Sequence, residues 1–256
     1  MALRRTPRIR RKRRLGVGYR IAVFTLWPLM MMLTKRDWKG FDRFEGVDDG
    51  IIVVSNHISW FDPLVVALAL WEHDRPPRFL AKEEVFRVPL LGAILRSAGQ
   101  IRVYRETDNA IDAVRDGIEA VQKGETLAVY PEGTLTRDPD SWPMSGKTGA
   151  ARIALATGRP VFPMANWGAM DVMRPYRKEL RLLPRKTMHV RLGPPIDLTD
   201  LQGRDMDHEI LEEATNRILN ALTDQVSEMR GTPPPPVRFQ YQRERRPATN
   251  PGEAEA

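Results

Sequence analysis

From Phe41 onward the chain alternates short β-branched apolar runs with longer stretches of helical period. The runs predict strands at 51–55, 78–81, near 100–104, 126–130, 161–165 and 187–192, each bounded by Gly, Pro or charged residues. The stretches between them predict helices at about 63–72, 83–98, 108–122, 146–157 and 206–229. Such alternation points to an α/β fold, a single domain whose mixed, largely parallel sheet is flanked by helices. At 256 residues, with nothing in the middle that reads as a linker, one sizeable core is expected.

The two ends depart from this pattern. In "LGVGYRIAVFTLWPLMMML" the run from Ile21 to Leu33 is apolar, with Arg20 near its start and Pro28 inside it. A spanning helix needs about 20 apolar residues, so this shorter, interrupted run is expected to lie in a membrane interface or re-enter it. Residues 1–14 hold eight Arg or Lys and no acid; the formal charge is +7, so the remainder sums to −1. The positive charge therefore belongs to an arm, which argues against a nucleic-acid-binding face and, with the apolar run behind it, suits an anionic membrane surface. A secretory signal has the same order of charge and apolar run, but "TKRDWKG" follows without a small-residue cleavage site. The expected organisation is a basic arm at 1–14, a membrane-associating segment at 15–36, a catalytic domain at 37–230 and a disordered tail at 231–256, rich in proline and charge.

The chain has no cysteine, which excludes disulfides, thiol nucleophiles and cysteine-ligated zinc. In "NHISWFDP", just past the strand "IIVVS", His57 and Asp62 stand five positions apart. A short loop could fold the imidazole against the carboxylate, fixing its other nitrogen as a proton acceptor, the arrangement of a general base for a hydroxyl. The plainer alternative is that Asp62 caps the helix that Pro63 opens, and that His57 is a loop residue. "YPEGTLTRD", after the strand "TLAVY", places Glu132, Gly133, Thr134 and Arg137 at a strand's carboxyl end, where α/β sheets bind ligands. Arg102 and Arg105 in "GQIRVYRE" are candidate anion ligands, and Pro160 and Pro163 bracket a strand in "GRPVFPMANWG". "SWPMSGKTG" imitates a nucleotide-binding P-loop, but its first glycine position holds Ser141 and no strand precedes it. Lys147 at the start of the following helix could still face an anion.

Taken in order, "NHISWFDP", "GQIRVYR", "YPEGT" and "RPVFPMA" resemble the blocks of the 1-acyl-sn-glycerol-3-phosphate (lysophosphatidate) acyltransferases, a likeness covering roughly residues 40 to 195. The resemblance implies that His57 takes the proton from an acceptor hydroxyl while Asp62 orients and charges it, and that the hydroxyl attacks an acyl thioester of coenzyme A or acyl carrier protein. It implies acceptor binding by Arg105, Glu132 and Gly133, with Thr134 in the same block, and a structural role for Pro163. Two departures stand out: Leu135 occupies a place where the family commonly has arginine, leaving the phosphate contact to Arg137, Lys147 or Arg105, and Tyr104 stands where an acid is frequent.

The product implied is phosphatidate in phospholipid biosynthesis, with no cofactor and no metal required. The basic arm would hold the domain at the cytoplasmic face of the cell membrane, and "VFRVPLLGAILRSAG" offers either an acyl-binding wall or ordinary core. Rival readings are a different lysophospholipid or glycolipid acceptor and, from another class, an inactive membrane-binding module.

Overall fold

The structure is a computed structural model, and it describes residues 16–103, 109–177 and 179–241. Seven strands, β1 Thr34–Lys39, β2 Ile51–Ser55, β3 Pro77–Lys82, β4 Ile101–Val103, β5 Thr126–Val129, β6 Val161–Trp167 and β7 Lys186–Leu192, form one sheet in the order β1-β7-β6-β2-β5-β3-β4. All neighbours are parallel except β6 and β7. The helices are α1 Val17–Leu33, α2 Asp62–Trp71, α3 Glu83–Phe86, α4 Leu91–Ser97, α5 Asn109–Gln122, α6 Gly149–Thr157, α7 Ala169–Val172 and α8 His208–Arg230.

The central strand β2 shows why the sheet is covered on both sides. All five of its residues are buried, the continuous apolar pattern of a parallel strand between two helical layers. Its side chains alternate: Ile52 and Val54 pack with residues of α5, α6 and α8, whereas Ile51 and Val53 pack with α2, α7 and Phe41 and Phe44. At roughly 1.5–3 kcal/mol per fully buried aliphatic side chain, a shift of β2 by one residue would be prohibitive, so its register is fixed. Because β2, β5 and β6 run parallel, their carboxyl ends meet at one edge.

Three local features differ from the sequence expectation. The stretch read as one helix at 83–98 is two, α3 and α4, broken at Pro89 with Leu90 at φ 63°; proline lacks the N–H a continuous helix needs. Strand β1, "TKRDWK", carries no apolar alternation because it is an edge strand paired only with β7. The short α7 was likewise unmarked.

Helix α1 is held to the domain at both ends. Near its start, the Gly18 amide donates to Ser97 Oγ at 2.7 Å, and a Cβ on Gly18 would lie 2.5 Å from the Ser97 Cβ. Toward its end, Trp27 Nε1 at 3.4 Å, Trp38 Nε1 at 2.8 Å and Arg36 all donate to the Glu72 carboxylate at the close of α2. Its other face is bare: Val17, Phe24 and Met32 are 71%, 79% and 63% exposed. At about 1.5 Å per residue, its 17 residues fall short of a bilayer core of about 30 Å, and no described helix is long and apolar enough to cross a membrane.

Residues 231–241 carry no helix or strand and reach the body where the Ser145 amide donates to Phe239 O and the Tyr241 amide to Ser145 Oγ, each at 2.9 Å. The basic arm lies outside the described residues. Replacing Gly18 by leucine drives a branched side chain into Ser97, so Gly18→Leu should cost about 1–3 kcal/mol. A lowered urea midpoint at unchanged slope would register it.

Candidate active site

The loop 56–61 leaves β2 and folds back so that Asp62, at the first position of α2, faces it. The Asp62 carboxylate does not cap its own helix. Instead, a single oxygen, Oδ2, accepts three hydrogen bonds, from Ile58 N at 2.6 Å, Ser59 N at 2.7 Å and His57 Nδ1 at 2.9 Å. Capping alone is therefore not its role. An acceptor at Nδ1 assigns the proton to that nitrogen and leaves the Nε2 lone pair to receive another. Asp62 is fully buried, which pushes its carboxyl upward, while His57 and the two amides pull back toward the anion. Hydrogen bonds to a charged group are worth about 1.5–3 kcal/mol each, so the three offset part of what burying the carboxylate costs, but burial is the larger effect and the carboxyl is raised overall.

The imidazole is gripped from its face as well. His57 stacks on Tyr130 at 4.1 Å between ring centroids and 19° between planes, with Trp60 edge-on at 6.4 Å. Tyr130 lies against Phe79 in turn. Its hydroxyl is buried and unpartnered among the described residues, and burial raises that phenol well above its usual range.

Neighbouring strand ends lock the loop in place. Asn56 and Asn166, at the ends of β2 and β6, bond reciprocally: Asn56 Nδ2 donates to Asn166 O at 3.0 Å, and Asn166 N donates to Asn56 Oδ1 at 2.8 Å. Ser59 Oγ donates to Met173 O at 2.6 Å, tying the loop to the segment after α7. After β5, Glu132 Oε1 accepts the His57 amide at 2.9 Å and Thr136 N donates to His57 O at 2.7 Å.

Sequence reasoning placed Glu132 with the acceptor; the structure turns its carboxylate inward, 4% exposed, as a bracket on the His57 backbone. Burial outweighs the amides that reach it and raises its pKa to about 8. Gly133, with φ 68°, leaves room for the Lys147 chain, whose Cε would lie 3.1 Å from a Cβ there. Thr134 is half-buried beside it. Leu135 is 1% exposed, so it offers no substitute contact for an arginine, whereas Arg137 is exposed and lies 4.0 Å over the Tyr176 ring. Lys147 and Arg137 are thus cations on the His57 side of the sheet edge. Arg102 is drawn away, over the Phe86 ring and 3.9 Å from Glu83. Arg105 lies outside the described residues.

Sequence reasoning missed Tyr130, Asn56, Asn166 and Ser59. Each sat inside a quoted motif, but their roles depend on partners 73 to 114 positions away, as in the 110-residue and 114-residue separations of Asn56–Asn166 and Ser59–Met173.

A family model described as Acyltransferase matches residues 38–167, just over half of the chain. The chain belongs to the acyltransferase family. Among its relatives, a 1-acyl-sn-glycerol-3-phosphate acyltransferase of Streptococcus pneumoniae is 28% identical over 201 residues, 77% of this chain and 67% of that protein. A lyso-ornithine lipid O-acyltransferase of Pseudomonas aeruginosa is 31% identical over 60% of this chain and 62% of that one, and a Brassica napus relative matches across only 39% of its own length. The chain thus spans between about two fifths and two thirds of these relatives. The fold matches the crystal structure of the lysophosphatidate acyltransferase PlsC of Thermotoga maritima, with a TM-score of 0.63, 24% identity and coverage of 86% and 82% of the two chains.

The Glu132 carboxyl leads to a pH-dependent stability. The unfolded chain releases this proton through its ordinary value of 4.5, whereas the folded acyltransferase holds it to about 8. Between these values the unfolded state binds fewer protons, so this group makes stability fall as pH rises, by at most about 1.4 kcal/mol per pH unit, and its effect is flat above 8. Glu132→Gln should flatten the decline between pH 5 and 8 in urea melts; a mutant with the wild-type slope would place the proton elsewhere.

Proposed function

We propose that this acyltransferase moves a fatty acyl group from acyl-CoA or acyl carrier protein to the free hydroxyl of 1-acyl-sn-glycerol-3-phosphate, giving phosphatidate. The observation that carries the reading is the buried Asp62 carboxylate holding His57 by Nδ1 at 2.9 Å. As the acceptor oxygen bonds to the thioester carbonyl carbon, its proton passes to His57 Nε2, and the imidazolium that forms faces the Asp62 anion. The tetrahedral oxyanion then re-forms its carbonyl and breaks the carbon–sulfur bond, and the Nε2 proton leaves with the thiol. His57 ends as it began. No covalent acyl-enzyme is required, in keeping with a chain that has no cysteine.

A neutral Glu132 complements this chemistry. With its proton retained to about 8, Glu132 adds no second negative charge beside Asp62, the partner proposed for the imidazolium. Lys147 and Arg137 supply positive charge for an acceptor phosphate, the role that Leu135 cannot take. A lipid acceptor and product require a docked enzyme, and the bare face of α1 together with the arm suits the cytoplasmic face of an anionic membrane.

A second reading keeps the chemistry and changes the acceptor. The buried Leu135 and the relative named as a lyso-ornithine lipid O-acyltransferase favour a lysolipid with a different head group. An inactive membrane-binding module is disfavoured, because such a module has no need of a buried carboxylate committed to a histidine.

Thiol release from a long-chain acyl-CoA, measured with and without lysophosphatidate, tests the proposal. Release should require the acceptor, and His57→Ala should lower it by about 10²–10⁴. Turnover within a few-fold of wild type would remove His57 from the base's role. Arg137→Ala and Lys147→Ala should raise KM for lysophosphatidate more than they lower kcat; release only with a lyso-ornithine lipid would decide for the second acceptor.

A further inference from the structure

Residues 173–186, from the end of α7 to the first residue of β7, hold six Arg or Lys against one Glu, and Leu180 and Leu183 within them are 54% and 76% exposed. Exposed leucines that flank Arg181 in so basic a segment are not what a water-facing loop needs: the apolar groups gain nothing there and the charges repel. The same combination is stabilised where leucines enter acyl chains and arginines reach lipid phosphates.

Three anchors define where this segment stands. Arg185 Nη2 donates to Met31 O at 2.9 Å and Thr34 O at 2.7 Å, fastening it to the carboxyl end of α1. Leu182 packs inward into the cluster that holds Met30 and Trp27, so Leu180 and Leu183 on either side of it are the ones left outward. At its other end, Met173 O receives the Ser59 hydroxyl, on the loop that carries His57, and the Tyr176 hydroxyl donates to Leu135 O at 3.1 Å, on the loop after β5 that brackets it. Beside the α1 junction, a recess of about 270 Å³ is lined by Lys35, Arg36 and Arg185 with Thr34 and Trp38.

We infer that the 173–186 segment is a second membrane contact, separate from the arm and α1, which docks on an anionic bilayer surface through Leu180, Leu183 and the arginines around them. The occupant is a lipid surface because outward leucines and surplus positive charge are side by side, which matches acyl chains beneath anionic head groups. The segment bridges α1 to the catalytic loops, so docking sets the mouth of the site against the layer holding its acceptor. The inference deepens the proposed function and rests on its membrane-lipid substrate, but its test reads insertion rather than turnover.

The absence of native cysteine permits single labelling sites. Leu183→Cys in the full chain, carrying an environment-sensitive nitrobenzoxadiazole dye, should brighten several-fold and shift to the blue on vesicles of phosphatidylcholine with phosphatidylglycerol. Glu209→Cys, exposed on α8 and across the sheet, should stay unchanged. Arg174→Gln with Arg177→Gln should weaken partitioning, by about fivefold per charge near the surface. A silent Leu183 label while a Phe24→Cys label brightens would leave α1 as the contact and overturn the inference. Equal brightening on pure phosphatidylcholine would overturn its anionic character. Insertion that persists while no acyl transfer is found would sink the proposed reaction and leave the docking surface standing.

Discussion

The site depends on one oxygen atom. Asp62 Oδ2 gathers the amides of Ile58 and Ser59 and the Nδ1 of His57, and this convergence shapes the loop as much as it orients the imidazole. Removing the carboxylate would orphan two buried amides together with the histidine, so structural and chemical roles cannot be separated at this residue. A carboxylate can be buried at such a point because all three donors are supplied within five residues. The chain needs no distant partner to neutralise it.

What remains is to hold that local unit against the sheet, and this is done by long-range bonds at three strand ends. Asn166 on β6 clasps Asn56, and Glu132 and Thr136 after β5 clasp the amide and carbonyl of His57. The register of β2 between β5 and β6 therefore sets the position of the histidine. Since that register is fixed by alternate burial of Ile51, Ile52, Val53 and Val54, core packing and the placement of His57 form one mechanical chain.

Much of this was legible in the sequence, and the boundary between what was and was not is physical. Local pattern marked β2 and β5 as continuous apolar runs buried on both faces, and α2 and α8 by their helical period. Motif order identified His57 and Asp62 as a pair, since five residues suffice to close their loop. The edge strand β1 escaped because half-exposed pairing imposes no apolar alternation, and the break at Pro89 was hidden by apolar residues on both sides. Glu132 was visible as a residue but not as an inward bracket: nothing local records that its partner is the amide of a residue 75 positions earlier. The stacking Tyr130 and the clasping Asn166 were obscured for the same reason.

The arrangement also explains why two carboxyl groups can hold one histidine, by its backbone and by its ring, without competing. Asp62 receives three close donors on a single oxygen, whereas Glu132 has the His57 amide at 2.9 Å on Oε1, Met144 N at 3.4 Å on Oε2 and the Thr136 side chain. Both are buried, and burial raises both carboxyls; Glu132 keeps its proton to about 8. With both ionised, two like charges would confront each other across the histidine, and each would raise the cost of the other. With Glu132 neutral, the backbone of His57 is held by an acid that adds no field, while its ring is bonded to Asp62, the carboxylate that the proposed mechanism uses to stabilise the proton His57 accepts. Under the proposed reaction, the positive charge that a phosphate-bearing acceptor requires would lie outside this pair, on Lys147 and Arg137, apart from the carboxylate bonded to His57 Nδ1.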